Sequence, residues 1–228
     1  MNGILLIDKS AGWTSHDVVA KVRSIIRAKA GQKVKAGHAG TLDPAATGLL
    51  VLLVGTYTKK AGEFSKLDKT YETEITLGAT STTGDIEGEL TRKTAKKPTR
   101  ETACAVLDTF LGETMQTPHP YSAIKVGGQR AYKVARAGKT VEIKPRKITI
   151  HAISNIKYHY PKLSFATSVS SGTYIRSLAE DIGEKLGTGA YLSALRRTKV
   201  GKFNLDEAID TQNLTFEQTV SHLKTVAN

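Results

Sequence analysis

The chain has 228 residues, with 33 lysines and arginines against 21 aspartates and glutamates, a formal charge of +12 and a pI near 9.7. Its single cysteine, Cys104, excludes an internal disulfide, and its six scattered histidines offer no Cys/His spacing suited to zinc, so a reducing compartment and a metal-free protein are expected. The N-terminal MNGILLIDKS is too short in its apolar part for a signal peptide, and no run approaches the ~20 residues that span a bilayer, so a soluble, cytoplasmic protein is expected.

Taken in chain order, Gly3 to Asp8 reads as a buried strand and Lys9 to Thr14 as a turn. A helix follows with an apolar face of Val18, Val19, Val22, Ile25 and Ile26, with Ser15 as its N-cap and Gly31 as its stop. Lys21 to Lys35 holds six bases and no acid. The segment His38 to Leu50, HAGTLDPAATGLL, then places Asp43 among glycine-bearing turns. Asp-Pro disfavours helix at Asp43, while Gly37, Gly40 and Gly48 let the backbone bend and let another molecule approach closely. The carboxylate is presented rather than merely solvated, although a turn or helix cap accounts for an isolated Asp-Pro equally well.

Leu49 to Val54 reads as a buried strand and Lys59 to Ser65 as a short helix. Thr70 to Leu77 alternates, with Tyr71, Thr73, Ile75 and Leu77 on the more apolar face. Thr99 caps a helix that turns Ala103, Val106, Leu107, Phe110 and Leu111 inward and ends before Gly112, with Cys104 structural. From His119 to Lys147 eight bases oppose one acid, more than half of the net charge, and this Gly/Arg/Tyr-rich stretch is the candidate for a projecting element. Such an excess attracts polyanions through counterion release; solvated helix faces are the ordinary alternative. Ile148 to Tyr158 and Leu163 to Ser170 read as paired strands, and Ser171 to Thr173 turn the second into a helix through Ile175, Leu178, Ala179, Ile182 and Leu186. Strands joined both by hairpins and by helices argue for an α+β fold with a mixed sheet.

Three features call for one explanation: the glycine-framed Asp43, Tyr71 at a strand start, and GTYIR at a strand-to-helix junction. HAGTLDPAATGLL, DKTY, YSAIKVGGQRAYKVARAG and SSGTYIRSLAEDIGEKLG followed by LSALRRTKVG closely resemble the TruB family of tRNA pseudouridine-55 synthases, in family order from about Gly3 to Phe203. The resemblance implies an isomerase that detaches uracil from ribose and rejoins it through C5 without a cofactor, on a mostly antiparallel sheet with flanking helices around an RNA-binding cleft. It makes Asp43 the catalytic aspartate. Attack at ribose C1′, attack at uracil C6 and a glycal route are all open. Arg176 is the implied cation for Asp43, against the ordinary reading of a surface arginine paired with Glu180 at i, i+4.

By the same resemblance Tyr71 is catalytic and lies against the target uracil, where its ring offers stacking and its hydroxyl assistance in removing the C5 proton, although a phenol with a pKa around 10 is a poor base at neutral pH. His38 stands beside the flipped loop, Tyr174 lines the uracil pocket and Leu195 packs near it. The stretch from His119 to Arg146 matches a thumb-like insertion that grips RNA, where Tyr121 and Tyr132 stack on bases and Lys125, Arg130 and Arg136 meet phosphates. Lys9 and Lys21 to Lys35 extend that surface. The partner implied is the TΨC stem-loop of tRNA.

Two departures stand out. Ser10 occupies a position where a proline usually follows the lysine, and the residues after Phe203 are too few for the PUA-like domain many members carry. Residues 1–205 are therefore expected to form a catalytic domain and 206–228 a short tail with a helix begun at Thr215. A monomer is expected, since no heptad or apolar interface stripe appears. Rival readings are an RNA-binding or RNA-folding factor with secondary or no catalysis, which the same charge serves, and a ribosome-associated structural protein, which leaves the glycine-framed motifs unexplained.

Overall fold

In the computed structural model, which describes residues 1–31, 33–122 and 124–225, the two apolar runs form adjacent antiparallel strands, Gly3–Lys9 and Thr47–Val54, with Gly3 opposite Val54 and Lys9 opposite Gly48. Side chains alternate between sheet faces, yet Ile4 to Ile7 and Leu49 to Val54 are all buried. An unbroken apolar run is what a strand covered on both faces requires. On one face Ile4, Leu6, Leu49, Val51 and Leu53 pack with Val200 and Phe203, and with Tyr57, Ala61 and Phe64 from the short helices Gly55–Lys60 and Ala61–Ser65.

These strands belong to one of two compact units, made of Met1–Tyr71 and the chain from Leu195 onward; Glu72–Ala194 forms the other. The first unit also holds the helix Ser15–Ala30, which buries Val18, Val19, Val22 and Ile26. Its N-cap is Thr14, not Ser15: the Thr14 hydroxyl accepts from the Asp17 N–H at 3.1 Å and the Asp17 carboxylate accepts from the Thr14 N–H at 2.9 Å. That reciprocal capping box satisfies two otherwise orphaned donors and frees Ser15 for another task. Gly31 closes the helix in the left-handed conformation, as expected. The six bases from Lys21 to Lys35 are exposed.

The sheet of this unit is mixed. Ala36–His38 pairs antiparallel with Thr47–Val54, whereas Arg196 and Arg197, in the strand Ala190–Val200, lie parallel to it opposite Thr47 and Gly48. Ile209–Asp210 adds a parallel edge beside Ile7 and Asp8, and Lys224 bridges to Ile4. A helix Phe216–Ser221, capped by Thr215, lies between. The Ser10 N–H donates to the Thr211 hydroxyl at 3.2 Å, which itself donates to the Asp8 carbonyl at 2.6 Å. A proline at position 10 has no N–H to make that link.

In the second unit Arg146–His159 pairs antiparallel with Lys162–Val169 and, on its other side, with Gly112–Gln116. The helix Arg100–Asp108 is capped by Thr99 as expected. Leu111, expected inside, is 46% exposed, because the helix stops at Asp108 and Gly112, at φ +92, begins a strand that turns Leu111 outward. The hairpin of Ala79–Ser81 with Leu90–Arg92 is a further element that periodicity did not announce. In the basic stretch Lys125–Val126 and Gln129–Arg130 form a hairpin through Gly127 and Gly128, both at positive φ, and lead into the helix Ala131–Arg136. Two successive residues at positive φ are what a tight hairpin turn demands, and glycine supplies them without steric cost.

Candidate active site

Asp43 is half-buried on the loop between Ala36–His38 and Thr47–Val54. Buried side chains bind the loop backbone on both sides of it. Before it, the Arg197 guanidinium donates to the Gly40 carbonyl at 3.1 Å and the Thr41 carbonyl at 3.3 Å, and its Nε reaches past Asp43 to the Leu49 carbonyl in the following strand at 2.7 Å. The Ser15 hydroxyl accepts from the Leu42 N–H at 2.8 Å and donates to the Leu42 carbonyl at 3.0 Å. After it, the Pro44 carbonyl accepts from the Lys9 ammonium at 3.2 Å and from the Gly12 N–H at 2.9 Å. An irregular loop cannot satisfy its own carbonyls, so these donors replace water. Gly48, at φ +97, lets the Arg197 backbone approach where a Cβ would lie 2.3 Å from the Arg197 carbonyl oxygen.

Lys9 was expected to contact RNA. It is 0% exposed, and its ammonium also donates to the carbonyls of Ser10 at 3.0 Å and Trp13 at 2.7 Å. A cation sequestered in this way cannot meet a phosphate, so Lys9 holds the turn and loop instead. Lys69, also buried, donates to Ser65 and Leu67 carbonyls at 2.7 and 2.5 Å, and burial, then the Arg197 charge, pull its pKa down to about 8 against the opposing pull of Asp68.

His38 ends the Ala36–His38 strand. Burial first, then Arg197 and His16, hold its imidazole below the ordinary histidine range, and its buried Nδ1 has no hydrogen-bond partner among the described residues. Tyr71 is 7% exposed on the strand Lys69–Leu77, on the inward face that the alternation predicted. Leu195 is half-buried and its carbonyl accepts from the Thr47 hydroxyl at 3.4 Å. Its neighbour Arg196 forms a two-pronged pair with Asp8 at 2.6 and 3.2 Å.

In the second unit the GTYIR junction is gripped by its backbone. Buried Gln116 accepts from the Tyr174 N–H at 2.8 Å and donates to the Tyr174 carbonyl at 3.0 Å, while the Arg146 guanidinium sits 4.8 Å from the Tyr174 ring centroid and donates to the Gly172 carbonyl. Arg176 is no surface residue: it is 7% exposed, donates to the Thr83 carbonyl at 3.0 Å and the Tyr121 carbonyl at 2.9 Å, and lies 3.4 Å from the Asp85 carboxylate. Glu180, the partner expected of a surface arginine, lies 3.5 Å from His119. Arg176 thus ties the helix Ile175–Lys185 to the start of the basic stretch at Tyr121.

Along that stretch Lys125, Arg130, Lys133, Arg136, Lys139, Lys144 and Lys147 are exposed, and Tyr121 and Tyr132 are half-exposed. The Arg136 guanidinium lies 5.7 Å from the Tyr132 ring centroid, one helical turn away. Among the described residues, none of the groupings of His, Cys, Asp and Glu suits a metal ion, and no helix is long and apolar enough to cross a membrane.

Sequence reading missed Arg197, Gln116, Asp85 and Arg146. Arg197 lies inside the quoted LSALRRTKVG segment, but its partners are some 150 positions away and leave no periodic signal. Gln116 and Arg146 bond to backbone, which no side-chain pattern encodes, and Asp85 meets Arg176 across some 90 positions of chain.

Comparison with known proteins agrees with these features. In solved structures the chain is similar to one described as a Cbf5-Nop10-Gar1 complex, with a TM-score of 0.71 and 29% identity over 93% of this chain and 53% of that one. It is likewise similar to an H/ACA RNP bound to a substrate RNA containing 2′-deoxyuridine, with a TM-score of 0.68 and 27% identity over 93% of this chain and 52% of that one. Fold and motifs define the class of pseudouridine synthases, which are isomerases. Residues 23–175 match the family described as TruB family pseudouridylate synthase (N terminal domain), and residues 176–224 match that described as tRNA pseudouridylate synthase B C-terminal domain. Among curated relatives, the tRNA pseudouridine synthase B of Mycobacterium sp. (strain KMS) is 46% identical over 96% of this chain and 74% of its own length. That of Thermobifida fusca (strain YX) is 44% identical over 97% and 77%. The chain belongs to the TruB family of pseudouridylate synthases.

Proposed function

We propose that this protein converts uridine-55 in the TΨC loop of tRNA to pseudouridine, with Asp43 as the catalytic carboxylate. The observation that carries the reading is the Asp43 loop, whose backbone is held on both sides by buried donors in a chain whose relatives are named for tRNA. Preorganisation of this kind is what a reacting group needs and a solvated turn does not. The reaction gains and loses no atoms overall: the C1′–N1 bond breaks, the base turns, C1′–C5 forms, C5 gives up its proton and N1 takes one up. It needs no cofactor.

The base must leave its stack, at about a few kcal/mol. Tyr71 supplies a ring for stacking, and Tyr174 and Leu195 line the uracil's surroundings. The neutral imidazole of His38 suits a place beside the displaced loop, since its unmatched Nδ1 retains hydrogen-bonding capacity. Arg176 is assigned to the same reaction as the cation that steadies the carboxylate. The exposed cations Lys125, Arg130 and Arg136, with Tyr121 and Tyr132, grip the RNA. In this reading residues 1–205 are the catalytic domain, 119–146 its RNA-gripping element, and the enzyme works as a metal-free monomer in the cytoplasm.

The test is conversion at position 55 of an unmodified tRNA transcript, without added metal, by wild type and Asp43→Asn. Conversion by wild type alone supports the reading. Tight binding without conversion by either protein instead favours the second reading, an RNA-binding or RNA-folding factor, for which the seven exposed cations speak.

A further inference from the structure

We infer that Arg197 is a positioning residue for the isomerisation, setting the rate of the chemical step through the Asp43 loop and leaving RNA affinity unchanged. The inference rests on the proposed role of Asp43. Arg197 is 2% exposed. The partners of its guanidinium among the described residues are three backbone carbonyls, with no carboxylate: Gly40 and Thr41, two and three positions before Asp43, and Leu49 in the strand after it. A buried cation without a counter-ion is costly, and the planar fork spreads its donors over three nitrogens, so that Nε meets the strand carbonyl of Leu49 while the two terminal nitrogens meet Gly40 and Thr41.

Among the described residues the cost is met by the Asp43 loop and the strand that follows it, and the geometry there is over-determined. Gly48 lies opposite Arg197 in the sheet and is open enough to admit its backbone, so the fork approaches from a fixed origin. Ser15 fixes Leu42, the residue immediately before Asp43, from the opposite direction in sequence. Together they leave the carboxylate little freedom to drift. Because Arg197 is buried, it presents nothing to an RNA backbone, so its effect must appear in the rate once RNA is bound.

The test measures single-turnover conversion and tRNA affinity separately for Arg197→Lys, Arg197→Ala and Ser15→Ala. A lysine keeps the charge but cannot span the three carbonyls. Misplacement of a reacting group by about 1 Å costs on the order of 10²-fold in rate, so Arg197→Lys is expected to slow conversion by about that factor with Kd for tRNA within about threefold of wild type. Ser15→Ala, which keeps the guanidinium, is expected to slow it by about tenfold on the same scale. Millimolar ethylguanidinium added to Arg197→Ala is expected to restore part of the rate, a response that a general loss of packing does not give.

Wild-type rates in Arg197→Lys and Ser15→Ala, or equal losses of rate and affinity, overturn the inference. If Arg197→Ala does not fold, the rate and affinity split in Arg197→Lys decides. An active Asp43→Asn overturns the proposed function itself, and an inactive Asp43→Asn beside fully active Arg197 and Ser15 variants overturns only this inference.

Discussion

A methyl group at position 48 tests how closely the two strands behind the Asp43 loop approach. Gly48 has φ +97, and an added Cβ would meet the Arg197 carbonyl oxygen at 2.3 Å, its nitrogen at 2.7 Å and its carbonyl carbon at 3.0 Å. Ordinary contact begins near 3.4 Å, so the strands must part by about 1 Å, and the displaced atoms are backbone that no rotamer change can move aside. Gly112 is the matched control: φ +92, with nothing within 4 Å of its added Cβ. Gly112→Ala therefore carries only the backbone strain, about 1–2 kcal/mol. Gly48→Ala adds the loss of local pairing and of well-placed Arg197 bonds, for a total of about 4–5 kcal/mol, the range reserved for disrupted cores and buried networks. At ~2–4 °C per kcal/mol for a chain of this size, calorimetry should find Tm lowered by about 10–15 °C in Gly48→Ala and by about 5 °C in Gly112→Ala. Equal shifts in the two variants would refute the close-approach argument.

Asp181 supplies a pH test. Burial, then Glu180 and Glu184, raise its pKa from 3.8 to about 6, against the weaker pull of Lys185. A carboxyl raised in the folded state favours folding in its protonated form, so its contribution is full below about pH 4 and lost as pH rises through about 6. Asp181→Asn is therefore expected to melt ~2–4 °C above wild type at pH 7.5, about 1 kcal/mol once solvent screening is allowed for, and to lose the advantage near pH 4; a constant difference across that range would contradict the assignment. Gln116→Leu removes both bonds to the Tyr174 backbone; the Tyr174 carbonyl keeps the Leu178 N–H at 3.1 Å, but the Tyr174 N–H loses its acceptor, so a loss of about 1–3 kcal/mol in urea unfolding is expected. Neutralising Lys125, Arg130, Lys133 and Arg136 together should flatten the dependence of log K for tRNA on log salt by about 3, with the single-turnover rate at saturating RNA little changed; an unaltered salt slope would remove this stretch from the RNA surface.

Sequence alone revealed elements whose cause is local. The runs Gly3 to Asp8 and Leu49 to Val54, the alternation through Tyr71 and the Gly31 stop all appear where periodicity and glycine placed them. Errors of one position, Thr14 for Ser15 and Leu111 outward instead of inward, arose where a cap or a helix end competes between neighbouring residues of similar propensity. Lys9 was misread for a deeper reason. In a basic chain an early lysine looks like surface charge, and only the three-dimensional return of Pro44 and Trp13 carbonyls shows it to be an internal donor. Arg197 was illegible in the same way, since its partners are backbone oxygens of a loop far away in the chain. Asp43 stood out because glycine and proline constrain their own neighbourhood.

The first unit is assembled from both ends of the chain, and this has a consequence for synthesis. A ribosome releases Asp43 and its glycines early, yet the guanidinium that orders them is not made until position 197, after the whole of Glu72–Ala194 has emerged and can fold on its own schedule. Until then Gly40, Thr41 and Leu49 lack their donor. The nascent protein therefore carries Asp43 on an unfinished loop until the returning strand comes to lie beside Gly48.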